Sequence, residues 1–105
     1  MSDTLARLEA TIAARKGADP STSYVASLFA KGRPRIARKF GEEAIETIVA
    51  ALSEDKAALT GEAADVIFHL LVLLADAEVP LADVLAELDR RDGVSGHDEK
   101  AGRSA

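Results

Sequence analysis

Residues 62–77 read EAADVIFHLLVLLADA, and the reading of this stretch decides the fold. From Val66 to Ala75 it is apolar except for His69, with Asp65 and Asp76 at its borders. That run is well short of the roughly 20 residues that cross a bilayer, so no membrane span is expected. On a helical wheel at about 100° per residue with Glu62 at zero, Asp65 falls near 300°, Asp76 near 320° and His69 near 340°, while apolar side chains fill nearly every other direction. One polar stripe thus runs down a helix that must be covered on most of its sides. Carboxylates carried into such surroundings need cations, because burying an unpaired charge is costly.

Upstream, residues 35–52 (RIARKFGEEAIETIVAAL) set Ile36, Phe40, Ile45, Ile48, Val49 and Leu52 on a broad helical arc, with Gly41 a defect near the start. Glu42, Glu43 and Glu46 lie in the gap that remains. Glu43 and Glu46 are i, i+3 neighbours, as are Glu62 and Asp65. Antiparallel packing could set the two pairs face to face. Four or five carboxylate oxygens suit a hard divalent ion, Mg²⁺ or Mn²⁺, which keeps some water and accepts phosphate oxygens. The opposing reading makes each pair a solvated helix face, or has Arg35, Arg38 or Lys39 neutralise it. The apolar character of the helix carrying Glu62 and Asp65 favours the metal. His69, one turn beyond Asp65, reads as a satisfied core histidine or as an outer neighbour of the site. His97, in the polar tail, has no partner that the sequence identifies.

Working outward, Thr4–Lys16 is predicted helical through Leu5, Leu8 and Ile12 and ends at Gly17. Ser21–Ala30 is predicted to be a short helix burying Tyr24, Val25, Leu28 and Phe29, stopped by Gly32. The two central helices are expected from Pro34 or Arg35 to Leu52 and from Thr60 or Gly61 to Ala77. A last one, Pro80–Arg91, puts Leu81, Val84, Leu85 and Leu88 on one side. No segment alternates with period two long enough for a strand. The class is all-α, an antiparallel helical bundle of about five helices. At 105 residues there is room for one domain. Residues 1–92 are expected to form it, and residues 93–105, GVSGHDEKAGRSA, to be a polar tail that stays loose until it touches something. So small a domain covers its own apolar surface poorly, and the side of the fourth helix with Ile67, Leu70, Leu71 and Leu74 asks for more cover. A four-helix-type core completed by dimerisation supplies it.

A net charge of −5 argues against general adhesion to nucleic acid. Yet Lys31, Arg33, Arg35, Arg38 and Lys39 form an acid-free cationic run, followed at once by Glu42 and Glu43. A basic segment running into an acidic one fits a bound anion plus a metal, or else a salt-bridged surface. The absence of Cys removes thiol nucleophiles, disulfides and thiolate metal sites. The N-terminus lacks an apolar signal core, so a soluble cytoplasmic protein is expected.

Three motifs carry a resemblance over nearly the whole chain: Y-x-A-S-L-F-A-K-G from Tyr24 to Gly32, K-x-G-E-E-A-x-E-T from Lys39 to Thr47, and R-R-x-G-x-S-G-x-x-E-K from Arg90 to Lys100. With the E-x-x-E and E-x-x-D pairs between them, the chain resembles the phosphoribosyl-ATP pyrophosphatases, within the MazG-like all-α nucleoside triphosphate pyrophosphohydrolases. Phe68 stands where Tyr is expected in many relatives. The resemblance implies Mg²⁺-dependent hydrolysis of phosphoribosyl-ATP between its α and β phosphorus atoms, the second step of histidine biosynthesis, by a homodimeric enzyme, and the absence of Cys leads to the expectation of the free-standing form rather than one fused to the Cys-dependent cyclohydrolase of the next step. It implies that Glu43, Glu46, Glu62 and Asp65 hold the ion, with Glu42 a further ligand or the general base. Lys31, Arg33, Arg35 and Lys39 would contact phosphates, and Arg90, Arg91, Ser95, Gly96 and Lys100 would close over the substrate. Arg38 and Arg103 read as surface charges. Two alternatives are a house-cleaning (d)NTP pyrophosphohydrolase of the same fold and a non-catalytic helical binding module.

Overall fold

A computed structural model describes residues 2–53, 55–93 and 102. Five helices follow one another: α1 (Ser2–Ala14), α2 (Tyr24–Lys31), α3 (Arg33–Ser53), α4 (Lys56–Asp76) and α5 (Leu81–Arg91), and there is no strand among the described residues. The all-α bundle is therefore as expected, and its boundaries differ in instructive places. The Ser23 side chain accepts from the Ala26 amide at 3.1 Å, so α2 begins after Ser23 rather than at Ser21. Gly32, at φ 93°, is the one-residue joint between α2 and α3.

The start of α4 is the larger correction. The Asp55 carboxylate accepts from the Ala58 amide at 2.8 Å and caps the helix, which starts at Lys56 and not at Thr60 or Gly61. Thr60 sits inside the helix and donates its hydroxyl back to the Lys56 carbonyl, 2.8 Å. Only two residues then separate α3 from α4, and the two 21-residue helices close into a tight antiparallel hairpin. At that length α4 is apolar enough to cross a bilayer by length and composition, more than its broken apolar run suggested. Here it is the centre of the bundle, flanked by α3, α1 and α2.

The core lies at one end of the hairpin. Ile12, Leu28, Ile36, Leu71, Val72 and Leu81 are buried together, with Leu5, Leu8, Val25, Phe29, Phe68 and Leu74 packed around them. Polar clasps tie this end shut. Glu9 Oε2 accepts from the Leu81 amide at 2.8 Å, giving α5 the N-terminal cap that Pro80 cannot supply. Lys16 Nζ donates to the Ala75 carbonyl at 2.7 Å, near the C-terminus of α4. Arg33 bonds both the Asp76 carboxylate, 2.8 Å, and the Asp76 carbonyl, 3.0 Å.

The other end is a bare arm. Ile45, Ile48, Val49 and Leu52 on α3 are 62%, 58%, 49% and 82% exposed. Uncovered apolar surface was expected on α4, but there Leu71 is buried, Leu70 and Leu74 are partly buried, and Ile67 alone of the four is exposed. Position along the hairpin, rather than the wheel, decides this, because α1 and α2 reach only the core end.

Candidate active site

The acidic pairs meet where the core gives way to the arm. Antiparallel closure brings one carboxylate oxygen from each of Glu43, Glu62 and Asp65 within 4.8 Å of one another. Glu43 is buried, 5% exposed, whereas Glu62 is half-buried and Asp65 exposed, so the cluster opens to solvent on the Asp65 side. Glu62 Oε1 is buried without any hydrogen-bond partner. Burial, followed by the charges of Glu46, Asp65 and Glu43, pushes the Glu62 carboxyl above its usual range. Glu46 thereby belongs to the same acidic field, one turn along α3 from Glu43. An orphaned buried oxygen facing other carboxylates is what a hard dication would satisfy, and the all-oxygen donor set suits Mg²⁺ or Mn²⁺ rather than a thiophilic metal.

Next to the acids, Tyr24, Leu28, Lys31, Arg35, Arg38, Lys39 and Glu42 line a cleft of about 250 Å³. Arg35, Arg38, Lys39 and Glu42 share one face of α3 because they are three or four residues apart. Lys39 joins the two halves: its Nζ lies 3.2 Å from Glu43 Oε2 and 3.9 Å from Glu42 Oε1, and its pKa is raised chiefly by the bond to Glu43. Glu42 also pairs with Arg38 at 3.4 Å. The cleft therefore presents four cations against a wall of acids, the field in which a polyphosphate bridging to a dication would sit.

An aromatic wall backs it. His69 is 5% exposed; its Nδ1 lies 2.7 Å from the Asp65 carbonyl oxygen and its Nε2 2.9 Å from the Tyr24 hydroxyl. A carbonyl only accepts, so Nδ1 carries a proton, and in the neutral ring Nε2 accepts from Tyr24. The Phe68 and Tyr24 rings stack at 6.2 Å, with the His69 ring edge-on to both. His69 is thus the satisfied core histidine of the two readings, and it also anchors a cleft residue to the turn that carries Asp65.

Other expected site residues lie elsewhere. Arg33 is engaged by Asp76 and does not line the cleft. Arg90 and Arg91 both bond Glu87 on α5, at 2.7 and 3.0 Å, and together pull its carboxyl down to about 2. Ser95, Gly96 and Lys100, with His97 and Arg103, fall outside the described residues. Sequence reasoning missed three members of the cleft. Tyr24 was expected to be buried but is half exposed, Arg38 was read as a surface charge, and Leu28 as core only. The signal for Arg38 was its i, i+4 spacing to Glu42 beside Arg35 and Lys39.

Comparison with known proteins adds a further finding. The profile of the family described as phosphoribosyl-ATP pyrophosphohydrolase matches residues 5–92. A protein of Rhizorhabdus wittichii named phosphoribosyl-ATP pyrophosphatase is 68% identical over 103 residues, covering 98% of this chain and 97% of that one. Proteins of the same name from Dinoroseobacter shibae and Novosphingobium aromaticivorans are 65% identical over 99 residues and 63% over 102, covering 94% and 97% of this chain and 97% and 95% of theirs.

Proposed function

The chain belongs to the phosphoribosyl-ATP pyrophosphohydrolase family, and on that premise we infer that it is a hydrolase converting phosphoribosyl-ATP and water to phosphoribosyl-AMP and pyrophosphate, the second step of histidine biosynthesis. We propose a cytoplasmic enzyme that depends on Mg²⁺, or Mn²⁺ in its place, held by Glu43, Glu46, Glu62 and Asp65. The observation that carries this is the buried, unpartnered Glu62 Oε1 among converging carboxylates. When bound, the ion neutralises charge on the triphosphate and favours departure of pyrophosphate.

The chain's own residues do the rest. Lys31, Arg35, Arg38 and Lys39 bind phosphate oxygens and hold the α phosphorus over the acids. Water attacks that phosphorus, the α–β bridging oxygen leaves with pyrophosphate, and a carboxylate takes the proton of the water. We assign that transfer to Glu42, which lines the cleft and stands outside the three-oxygen cluster. Tyr24, fixed by His69, walls the nucleotide end. Arg90, Arg91, Ser95, Gly96 and Lys100 contact the far side of the substrate.

A second copy of this chain is the proposed cover for the arm. Ile45, Ile48, Val49 and Leu52 follow i, i+3, i+4, i+7 spacing, the stripe by which two hairpins would complete a four-helix core.

The test is pyrophosphate release from phosphoribosyl-ATP with Mg²⁺, beside a dNTP panel, for wild type and Glu62→Gln. Turnover of phosphoribosyl-ATP that EDTA abolishes and Glu62→Gln lowers by about 10²-fold or more is expected. Preference for dNTPs would move the protein to a house-cleaning role, and no turnover would favour a binding module. Stability supplies a separate check. The raised Glu62 carboxyl costs the metal-free protein stability, a penalty that grows as pH rises from about 4.5 and is complete above its raised pKa. Glu62→Gln should therefore raise the Tm in EDTA at neutral pH and change it little in acid.

A further inference from the structure

Lys39 stands in two places at once. Its ammonium contacts Glu43, the most buried of the clustered acids, while its side chain lines the cationic cleft. Glu43 has little room to turn away, because its side chain is only 7% exposed. Lys39 can turn away, because its side chain is 36% exposed and rides on a flexible four-carbon stem. A dication held by Glu43, Glu62 and Asp65 would sit close to an ammonium already touching the carboxylate of Glu43. Like charges at such range repel, even with solvent open on the Asp65 side.

We propose that Lys39 is a displaceable counter-ion of the acidic cluster: without a divalent ion it holds Glu43, and arrival of the ion drives its ammonium off Glu43 and into the cleft, where it meets the phosphates. The inference rests on the divalent-ion reading above and adds a coupling to it. Either ligand must first draw Lys39 away from Glu43. Whichever binds second finds that step already taken, so each strengthens the other by the same factor. No other cation in the structure is paired with a clustered acid, among the described residues and the pairs they form.

The experiment measures Mn²⁺ binding to the nucleotide-free protein by electron paramagnetic resonance, for wild type, Lys39→Met, Lys31→Met and Glu62→Gln. Lys39→Met should bind Mn²⁺ about tenfold tighter than wild type, while Lys31→Met, which removes the same charge from the same cleft, should change it by about twofold at most. Equal tightening in both variants would mean a general field effect and would overturn the proposal, as would unchanged or weaker binding in Lys39→Met. If wild type binds no Mn²⁺, the divalent-ion reading itself fails. A second measurement needs no variant: Mg²⁺ should speed acetylation of Lys39 in the wild-type protein, read by peptide mass spectrometry, and leave Lys31 unchanged. No acceleration at Lys39 at saturating Mg²⁺ would also overturn it.

Discussion

The two ends of the α3–α4 hairpin carry equally apolar sequence and end in opposite states. At the core end Ile36, Leu71 and Val72 are sealed by α1, α2 and the start of α5; on the arm Ile45, Ile48, Val49 and Leu52 stand in water. A helical stripe of apolar residues says that a face seeks cover, but it does not say which element supplies it. The acids sit at the border between the two regions, and this position suits their chemistry. Glu43 gains burial from the closed side while Asp65 stays open to solvent and to a ligand.

The contrast is broken most forcefully by truncation. Ile36→Ala should cost about 2–5 kcal/mol in denaturant unfolding, independent of protein concentration. Ile48→Ala should cost far less per molecule, and its effect should depend on concentration if a second copy covers the arm. A large, concentration-independent loss at Ile48 would mean that the arm is packed within one chain. Tyr24→Phe strips the buried His69 Nε2 of its donor and should cost about 1–2 kcal/mol. Steady-state kinetics should show the same variant raising KM more than it lowers kcat, since the hydroxyl shapes the cleft wall.

A smaller effect is expected where α5 joins the core end. Glu9→Ala removes the acceptor of the Leu81 amide and should cost about 1 kcal/mol, read as faster amide exchange at the start of α5. The smallest lies on the outer part of α5, where Glu87 is held by two arginines. Its carboxyl is lowered from 4.5 to about 2, so its contribution is complete above about pH 4.5 and disappears as pH falls through about 2. The side chain is substantially exposed, so high salt should screen the effect. Glu87→Gln should lower the Tm slightly at pH 7 and by much less at pH 2.

Much of this arrangement was legible in the order of residues. Periodicity separates five helices, and the spacing of Glu43 to Glu46 and of Glu62 to Asp65 marks the acids that the hairpin later brings together. The start of α4 lies four residues before the first helix signal in the sequence, and this bears on the site. A helix beginning at Thr60 would centre the joint near residue 56 and face Glu43 toward His69, one helical turn or about 6 Å from Asp65. The Asp55 cap restores the register. It was hidden because residues 56–59, Lys-Ala-Ala-Leu, suit helix and loop alike when no apolar stripe has yet begun.

Alone, then, the sequence determined the helical class, the positions of the acids and cations, and the family, because each depends on residue identity and local spacing. Tertiary structure decided which charges became neighbours. It gave Arg33 to Asp76 and Lys39 to Glu43, turned Tyr24 outward onto His69, and left the α3 arm bare. These outcomes depend on where separate helices meet, and a contact between residues far apart in the chain leaves no periodic trace in either segment.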